Sequence, residues 1–230
     1  STIDDLLHLT GQYLHGSDHP GQLMHVLKTT WARIRHDAPS ASGFSVDDAL
    51  DSVSELTGLP RDILDERKPL ELSELREHFG QRVFGQPDAV NTLVNRVAMV
   101  KAGITDPTRP LGVFLFAGPT GTGKTEIAKA LADYLFGSPE RMIRLDMSEL
   151  QTPESTSRLF GYGDGESSDG SLITRIREQP FSVVLLDEFE KAHSRVWDLF
   201  LQVFDDGRLT DPQGKIADFT HAIIIMTSNL

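Results

Sequence analysis

A glycine-rich loop at residues 118–125 constrains the fold of this chain more than any other stretch. The loop reads Gly-Pro-Thr-Gly-Thr-Gly-Lys-Thr, follows an apolar run at 112–116 and precedes a helix-like run at 126–136. That order predicts a strand, a loop and a helix, with the G-x-x-x-x-G-K-[ST] spacing of phosphate-binding loops. Glycines let backbone N–H groups approach phosphate oxygens, and the helix N-terminus adds further N–H groups. The loop therefore predicts binding of a nucleoside triphosphate.

The side chains of this loop have separate predicted roles. Lys124 would reach the β- and γ-phosphates, and the Thr125 hydroxyl would ligate Mg²⁺. The alternative is a glycine turn followed by Lys-Thr by chance, which the flanking strand and helix disfavour. The predicted nucleotide-binding residues of the loop are Pro119, Thr120, Gly121, Thr122, Gly123, Lys124 and Thr125.

Composition narrows the classes of protein that this chain can belong to. Its 22 basic and 34 acidic side chains give a net charge of −12, which argues against broad binding of nucleic-acid backbone. Cysteine is absent, so neither a disulfide framework nor a thiolate metal site is expected. No apolar run approaches the roughly 20 residues that cross a bilayer, and no signal-peptide pattern opens the sequence. We expect a soluble, cytoplasmic protein without a membrane span.

The chain is expected to divide near residue 80. Residues 1–80 have helical periodicity without a strand signal, including a helix that Ser45 caps and Gly58 closes. Residues 81–230 alternate between strands and helices, and buried apolar runs with long crossovers predict a parallel α/β sheet with flanking helices. We therefore expect a small all-α segment followed by an α/β P-loop NTPase domain. The predicted strands are 112–117, 142–146, 182–187 and 222–227.

Two carboxylates follow the third predicted strand, Asp187 and Glu188. At the carboxyl end of a strand they would face the crevice where α/β sheets bind ligands. Asp187 would hold Mg²⁺, directly or through water, and Glu188 would orient and deprotonate the attacking water, an effect worth about 10²–10⁴-fold. The alternative is an Asp-Glu pair that only caps the next segment. The expected sheet favours the catalytic interpretation.

Asn229 follows the last predicted strand. If that strand neighbours the Asp-Glu strand, its amide would contact the γ-phosphate or the attacking water. The alternative is an ordinary asparagine between a strand and a loop, which the residues alone favour.

Together these motifs resemble the AAA+ ATPases, specifically the second nucleotide-binding ring of the Clp-type heat-shock unfoldases. The resemblance implies that Val83 and Phe84 line the adenine pocket and that Asn229 senses the γ-phosphate. It also implies that residues 1–80 end a first ring's helical subdomain and form a connector. The matching stretches are 82–86 (Arg-Val-Phe-Gly-Gln), 118–125, 145–149 (Leu-Asp-Met-Ser-Glu), 185–193 (Leu-Leu-Asp-Glu-Phe-Glu-Lys-Ala-His), 201–211 and 223–229.

The resemblance implies Mg-ATP-dependent unfolding or remodelling of protein substrates by a homo-hexameric ring with pore loops. The family's arginine finger, second sensor and lid would follow Leu230, and such a finger is worth about 10³–10⁵-fold. We therefore expect the 230 residues alone to be a weak ATPase. The loop at 160–170 departs from the family pattern, because it is short, acidic and without the Tyr-Val pair. Tyr162 either grips polypeptide or packs locally, and both alternatives stay open.

Three functions are alternatives to general protein unfolding. A secretion-associated relative that remodels one protein assembly fits the altered loop. A nucleic-acid AAA+ motor is disfavoured by the acidic balance. A nucleotide-binding scaffold without hydrolysis is disfavoured because Lys124, Asp187 and Glu188 are all present.

Overall fold

The computed structural model describes residues 2–14, 19–37, 43–65, 67–68, 71–83, 86–119, 121–161 and 171–229. The chain forms two compact units, Ser1–Pro69 and Leu70–Leu230. This division lies about ten residues before the expected one near residue 80. The reason is helix α5 (Leu72–Gly80), which contacts helices of the second unit and buries Leu75 and Phe79 there.

The first unit is all-α in its described residues, as predicted. The helices of this unit are α1 (Thr2–Tyr13), α2 (His19–Asp37), α3 (Val46–Thr57) and α4 (Arg61–Leu64). Helices α1, α2 and α3 contact one another and bury Leu6, Val26 and Leu50 almost completely.

Helix α3 begins and ends where the sequence predicts. The Ser45 hydroxyl accepts a hydrogen bond from the Asp48 N–H at 3.2 Å, and the Asp48 carboxylate accepts one from the Ser45 N–H at 2.8 Å. This capping box satisfies two N–H groups that have no partner within the helix. Gly58 closes the helix with φ +69°, a conformation that glycine adopts without steric cost.

The second unit contains a four-stranded sheet in the order β1 (Gly112–Ala117), β6 (Ile223–Ser228), β3 (Val183–Asp187), β2 (Met142–Asp146), with all neighbouring strands parallel. The predicted fold class is confirmed, and the four predicted strands differ from the observed ones by at most one residue at either end. No described helix is long and apolar enough to span a membrane. After α5 come α6 (Pro87–Lys101), β1 (Gly112–Ala117), α7 (Lys124–Phe136), β2 (Met142–Asp146), α8 (Leu172–Glu178), β3 (Val183–Asp187), α9 (Ser194–Asp206), β4 (Arg208–Thr210), β5 (Ile216–Asp218) and β6 (Ile223–Ser228).

The inner strands of this sheet are apolar because both of their faces are covered. Residues 183–186 of β3 and 223–225 of β6 are fully buried. Helix α7 contacts β2 and β3, and it buries Ile127 and Leu131. A parallel sheet needs this cover on its faces. The cover leaves the carboxyl ends of the strands as the place where polar side chains collect.

One element was not predicted, the antiparallel hairpin of β4 and β5. Its strands have three residues each, too few for a periodic signal. The turn between them is held by the Asp211 carboxylate, which accepts hydrogen bonds from the N–H groups of Gln213 at 2.9 Å and Lys215 at 2.7 Å. The hairpin adds buried Leu209 and Ala217 to the core of the second unit.

Candidate functional site

The carboxyl ends of β1, β6 and β3 meet at one edge of the sheet. The pairing of β1 with β6 runs to Ala117 and Ser228, and the pairing of β3 with β6 ends at Leu186 and Met226. The three segments that follow these strands therefore begin side by side. They carry the phosphate-loop sequence, the Asp-Glu pair and Asn229, which were predicted from separate parts of the sequence.

The loop after β1 has the backbone that a phosphate cradle needs. Gly121 and Gly123 have φ of +85° and +87°, values that side chains with a Cβ rarely adopt. A Cβ added at Gly121 would meet no other atom within 4 Å, so open space lies beside the loop there. Gly123 is the N-cap of α7, and free N–H groups at a helix N-terminus attract anions. These features fit a bound phosphate chain.

Lys124 lies across this loop toward the end of β6. Its Nζ atom donates to the carbonyl oxygen of Ser228 and to Asn229 Oδ1, each at 2.9 Å, and also to the carbonyl oxygen of Gly118. An ammonium group has three hydrogens to donate. All three acceptors come from the two strand ends that border the loop.

Asp187 is held on both of its carboxylate oxygens. Its Oδ1 accepts a hydrogen bond from Thr227 Oγ1 at 2.6 Å, and its Oδ2 pairs with the Arg144 guanidinium at 2.5 Å. Arg144 comes from β2 and Thr227 from β6, the two neighbours of β3. The carboxylate is thus fixed between neighbouring strands at the sheet edge.

Glu188 has a backbone conformation that is rare for its residue type. Its φ is +55° and its ψ is +50°, and it is the one non-glycine residue with positive φ in the described ranges. Such strained positions are found preferentially at functional sites. The Glu188 carboxylate accepts a hydrogen bond from Asn229 Nδ2 at 2.9 Å.

The Asn229 amide therefore joins the two halves of the site. Its oxygen accepts from Lys124 and its nitrogen donates to Glu188, each at 2.9 Å. Its backbone N–H donates to Glu190 Oε1 at 3.3 Å. Burial raises the pKa of the Glu190 carboxyl, but hydrogen bonds from its own N–H, the Asn229 N–H and the Ser228 side chain, together with the charge of Lys191, hold the pKa below its usual value.

The other predicted site residues are placed as follows. Val83 is 5% exposed, and its Cγ1 lies 3.9 Å from the position of a Cβ on Gly123, beside the loop. The Thr122 hydroxyl donates to the Pro119 carbonyl at 3.0 Å, and Thr125 is half-buried in the first turn of α7. Phe84, Thr120 and Tyr162 lie outside the described residues.

Sequence reasoning missed two residues of this site, Thr227 and Arg144. Both contact Asp187, although they lie about 40 residues from it in sequence. The available signal was a polar residue inside an otherwise apolar strand. Such a residue needs a partner, but only strand order and register identify that partner.

The described part of the chain holds no group of three or more His, Asp or Glu side chains that could bind an ion by themselves. Mg²⁺ usually keeps several waters and takes one or two protein ligands plus phosphate oxygens. A hydroxyl from Thr125 and a carboxylate from Asp187 are the donor types that fit such a mixed coordination shell.

Comparison with known proteins agrees with this geometry. Residues 109–230 match the family described as AAA domain (Cdc48 subfamily). The chain is 48% identical over 187 residues to the chaperone protein ClpB of Aquifex aeolicus, covering 80% of this chain and 19% of that protein. It is 44% identical over 193 residues to the Clp protease ATP-binding subunit ClpC of Staphylococcus aureus, covering 83% and 24% respectively. The chain therefore spans a quarter or less of the length of these curated relatives.

Two solved structures extend the likeness over the full chain. A closed-state cryo-EM reconstruction of Hsp104 with ATPγS and FITC casein has a TM-score of 0.83 at 34% identity, covering all of this chain and 40% of that one. The S. cerevisiae Hsp104-ADP complex has a TM-score of 0.81 at 34% identity, covering 98% and 39%.

Proposed function

Because this chain belongs to the AAA domain family, Cdc48 subfamily, we propose that its site binds and hydrolyses Mg-ATP. We propose further that the intact protein uses this hydrolysis to unfold or remodel other proteins. The observation that carries the first part is the chain of hydrogen bonds from Lys124 through Asn229 to Glu188. It joins a phosphate-binding lysine to a carboxylate suited to act as a base.

Nucleotide binding is assigned to the loop between β1 and α7. The N–H groups around Gly121 and Gly123 cradle phosphate oxygens, and Lys124 exchanges acceptors at the strand ends for the β- and γ-phosphates. Val83, which lies beside Gly123, and Phe84 form the wall for the adenine. Pro119, Thr120 and Thr122 are also assigned to nucleotide binding, because they belong to the sequence of this loop.

Thr125 and Asp187 are the residues that would hold Mg²⁺. Mg²⁺ held there would supply positive charge that offsets the negative charge of the phosphates. Asp187 keeps its Oδ1 on Thr227, while its Oδ2 is paired with Arg144. We propose that the Arg144 contact is the one that gives way, because the Arg144 side chain is half exposed.

Glu188 and Asn229 are assigned to the chemical step. Glu188 orients the attacking water and takes its proton, and Asn229 holds the Glu188 carboxylate while it contacts Lys124. A positioned base contributes about 10²–10⁴-fold to such a step. Positioning by fixed side chains, with little covalent chemistry, is the general strategy of phosphoryl transfer.

The protein-remodelling part of the proposal draws on the relatives. Those reported above are a chaperone, a protease's ATP-binding subunit and Hsp104 imaged with casein. We propose a cytoplasmic homo-hexamer that acts on protein substrates, with Tyr162 contacting the polypeptide. The reported relatives include neither a nucleic-acid motor nor a secretion ATPase, and the net charge of −12 disfavours the former.

The test is steady-state ATP hydrolysis by the intact protein, with and without casein as an unfolded polypeptide. We expect stimulation by casein, loss of that stimulation in Tyr162→Ala, and its retention in Tyr162→Phe. Basal hydrolysis without stimulation would leave the ATPase assignment standing and contradict the general unfolding role.

A further inference from the structure

We propose that Thr227 is a positioning residue that sets both Asp187 and Glu188 for the reaction. Its Oγ1 donates to Asp187 Oδ1 at 2.6 Å and accepts from the Glu188 N–H at 3.0 Å. Thr227 is 1% exposed, so the hydroxyl has no bulk water as a substitute partner. One hydroxyl therefore orients the carboxylate assigned to Mg²⁺ and the backbone of the assigned base. This inference rests on the proposed ATPase function of the site.

The register of the sheet explains why this position can act in that way. The backbone pairing of β3 with β6 ends at Leu186 and Met226, one residue before Asp187 and Thr227. On its other side β6 stays paired with β1, where Thr227 lies opposite Phe116. The Thr227 backbone is thus fixed by the strand that carries the phosphate-binding loop. β3 stays paired with β2 as far as Asp187, and on the β6 side the Thr227 side chain contacts the end of β3 where the backbone pairing has stopped.

The conformation of Glu188 depends on the same contact. A φ of +55° is unfavourable for any residue with a Cβ. Contacts with neighbouring residues must therefore stabilise this conformation of Glu188. The Thr227 hydroxyl fixes the Glu188 N–H, and Asn229 fixes its carboxylate. Without the hydroxyl the backbone is free to return to commoner conformations, which would carry the carboxylate away from the attacking water.

A purely structural threonine would also be buried and hydrogen-bonded, so the variants must separate shape from hydroxyl. Thr227→Val keeps the branched shape and loses the hydroxyl. Thr227→Ser keeps the hydroxyl and loses a methyl group. A structural role predicts that both variants change thermal stability without changing the Mg²⁺ dependence. A positioning role predicts that only the valine variant changes the Mg²⁺ dependence.

The experiment measures ATP hydrolysis by the intact protein as a function of Mg²⁺ concentration, together with the affinity for a fluorescent ATP analogue with and without Mg²⁺. Outer-shell partners of metal ligands typically contribute about 10–100-fold to metal affinity or activity. We expect Thr227→Val to lower kcat by about that factor and to need more Mg²⁺ for half-maximal rate. Affinity for the analogue without Mg²⁺ should be unchanged. Thr227→Ser should stay close to wild type in each measurement.

Two results would overturn the proposal: wild-type kcat and Mg²⁺ dependence in Thr227→Val, or equal loss in Thr227→Ser. Thr227→Ala replaces the valine variant if the latter does not fold, as judged by its melting curve.

If the wild-type protein hydrolyses no faster than Glu188→Gln, the proposed function fails. The gain in analogue affinity on adding Mg²⁺ then still decides the role of Thr227, because that gain should shrink in Thr227→Val and persist in Thr227→Ser. An equal gain in both would refute it.

Discussion

The Nζ atom of Lys124 lies 2.9 Å from the Oδ1 atom of Asn229, across a separation of 105 residues in the chain. This charge-assisted hydrogen bond joins the phosphate-binding loop to the end of β6. Because the same amide donates to Glu188, one side chain links the lysine to the residue proposed as the base. In the proposed mechanism, Asn229 would report the occupancy of the loop to Glu188.

Removing the lysine should weaken nucleotide binding. Hydrogen bonds to charged groups contribute about 1.5–3 kcal/mol each, so Lys124→Ala should lower the affinity for a fluorescent ATP analogue by about 10- to 100-fold. Lys129→Ala is the matched control, because Lys129 lies on the same helix and pairs with Glu126 at 3.1 Å on its exposed face. Equal affinities for the two variants would contradict the assignment of Lys124.

The backbone strain at Glu188 gives a stability prediction. Glu188→Gly and Glu188→Ala both remove the carboxylate, but only glycine adopts positive φ without steric cost. The left-handed conformation costs other residues about 1–2 kcal/mol. The free energy of unfolding of the glycine variant, measured by urea denaturation, should therefore be about 1 kcal/mol higher than that of the alanine variant. An alanine variant at least as stable as the glycine variant would show that the conformation carries no strain.

Long regular signals made much of this fold predictable from sequence. Apolar runs such as 183–186 identify buried strands, and Ser45 and Gly58 mark helix ends through local hydrogen bonding and a positive φ. The contacts of Asp187 were not predictable, because Thr227 and Arg144 reach it only through the strand order and register. The boundary near residue 80 rested on periodicity alone. Periodicity marks α5 as a helix but does not show which unit buries Phe79.

Gly207 should be intolerant of a side chain. It closes α9 with φ +61°, and a Cβ there would lie 2.6 Å from the Thr108 carbonyl oxygen and 2.8 Å from Thr220 Cγ2. Gly207→Ala should cost about 2–4 kcal/mol, because overpacking adds to the left-handed penalty. Gly103→Ala is the control, since Gly103 has φ +67° with no atom within 4 Å of its Cβ position. Similar losses of unfolding free energy in the two variants would rule out the steric part of the explanation.

The capping box of α3 should make the stability of the first unit depend on pH. The N–H and then the hydroxyl of Ser45 hold the pKa of Asp48 below its usual value. A lowered folded-state pKa stabilises the fold above the unfolded pKa of about 4, and this contribution disappears as pH falls through the folded pKa.

We therefore expect Asp48→Ala to lose about 1 kcal/mol at pH 7 and progressively less below about pH 4. Denaturant unfolding of wild type and variant across that range measures the difference. Ser45→Ala serves as the control. Without the Ser45 hydroxyl, the free energy of unfolding that Asp48→Ala loses should depend less on pH. A constant difference from pH 7 to pH 2 would mean that the Asp48 charge makes no contribution.

Glu188 is proposed to serve as the base of an ATP-hydrolysing site. The most direct measurement is single-turnover hydrolysis of radiolabelled ATP by the intact protein and by Glu188→Gln, at enzyme concentrations above the measured dissociation constant of each. We expect similar ATP affinity for the two proteins and a hydrolysis rate at least about 100-fold lower in the variant. Hydrolysis by Glu188→Gln at the wild-type rate, or failure of the wild-type protein to bind ATP, would contradict it.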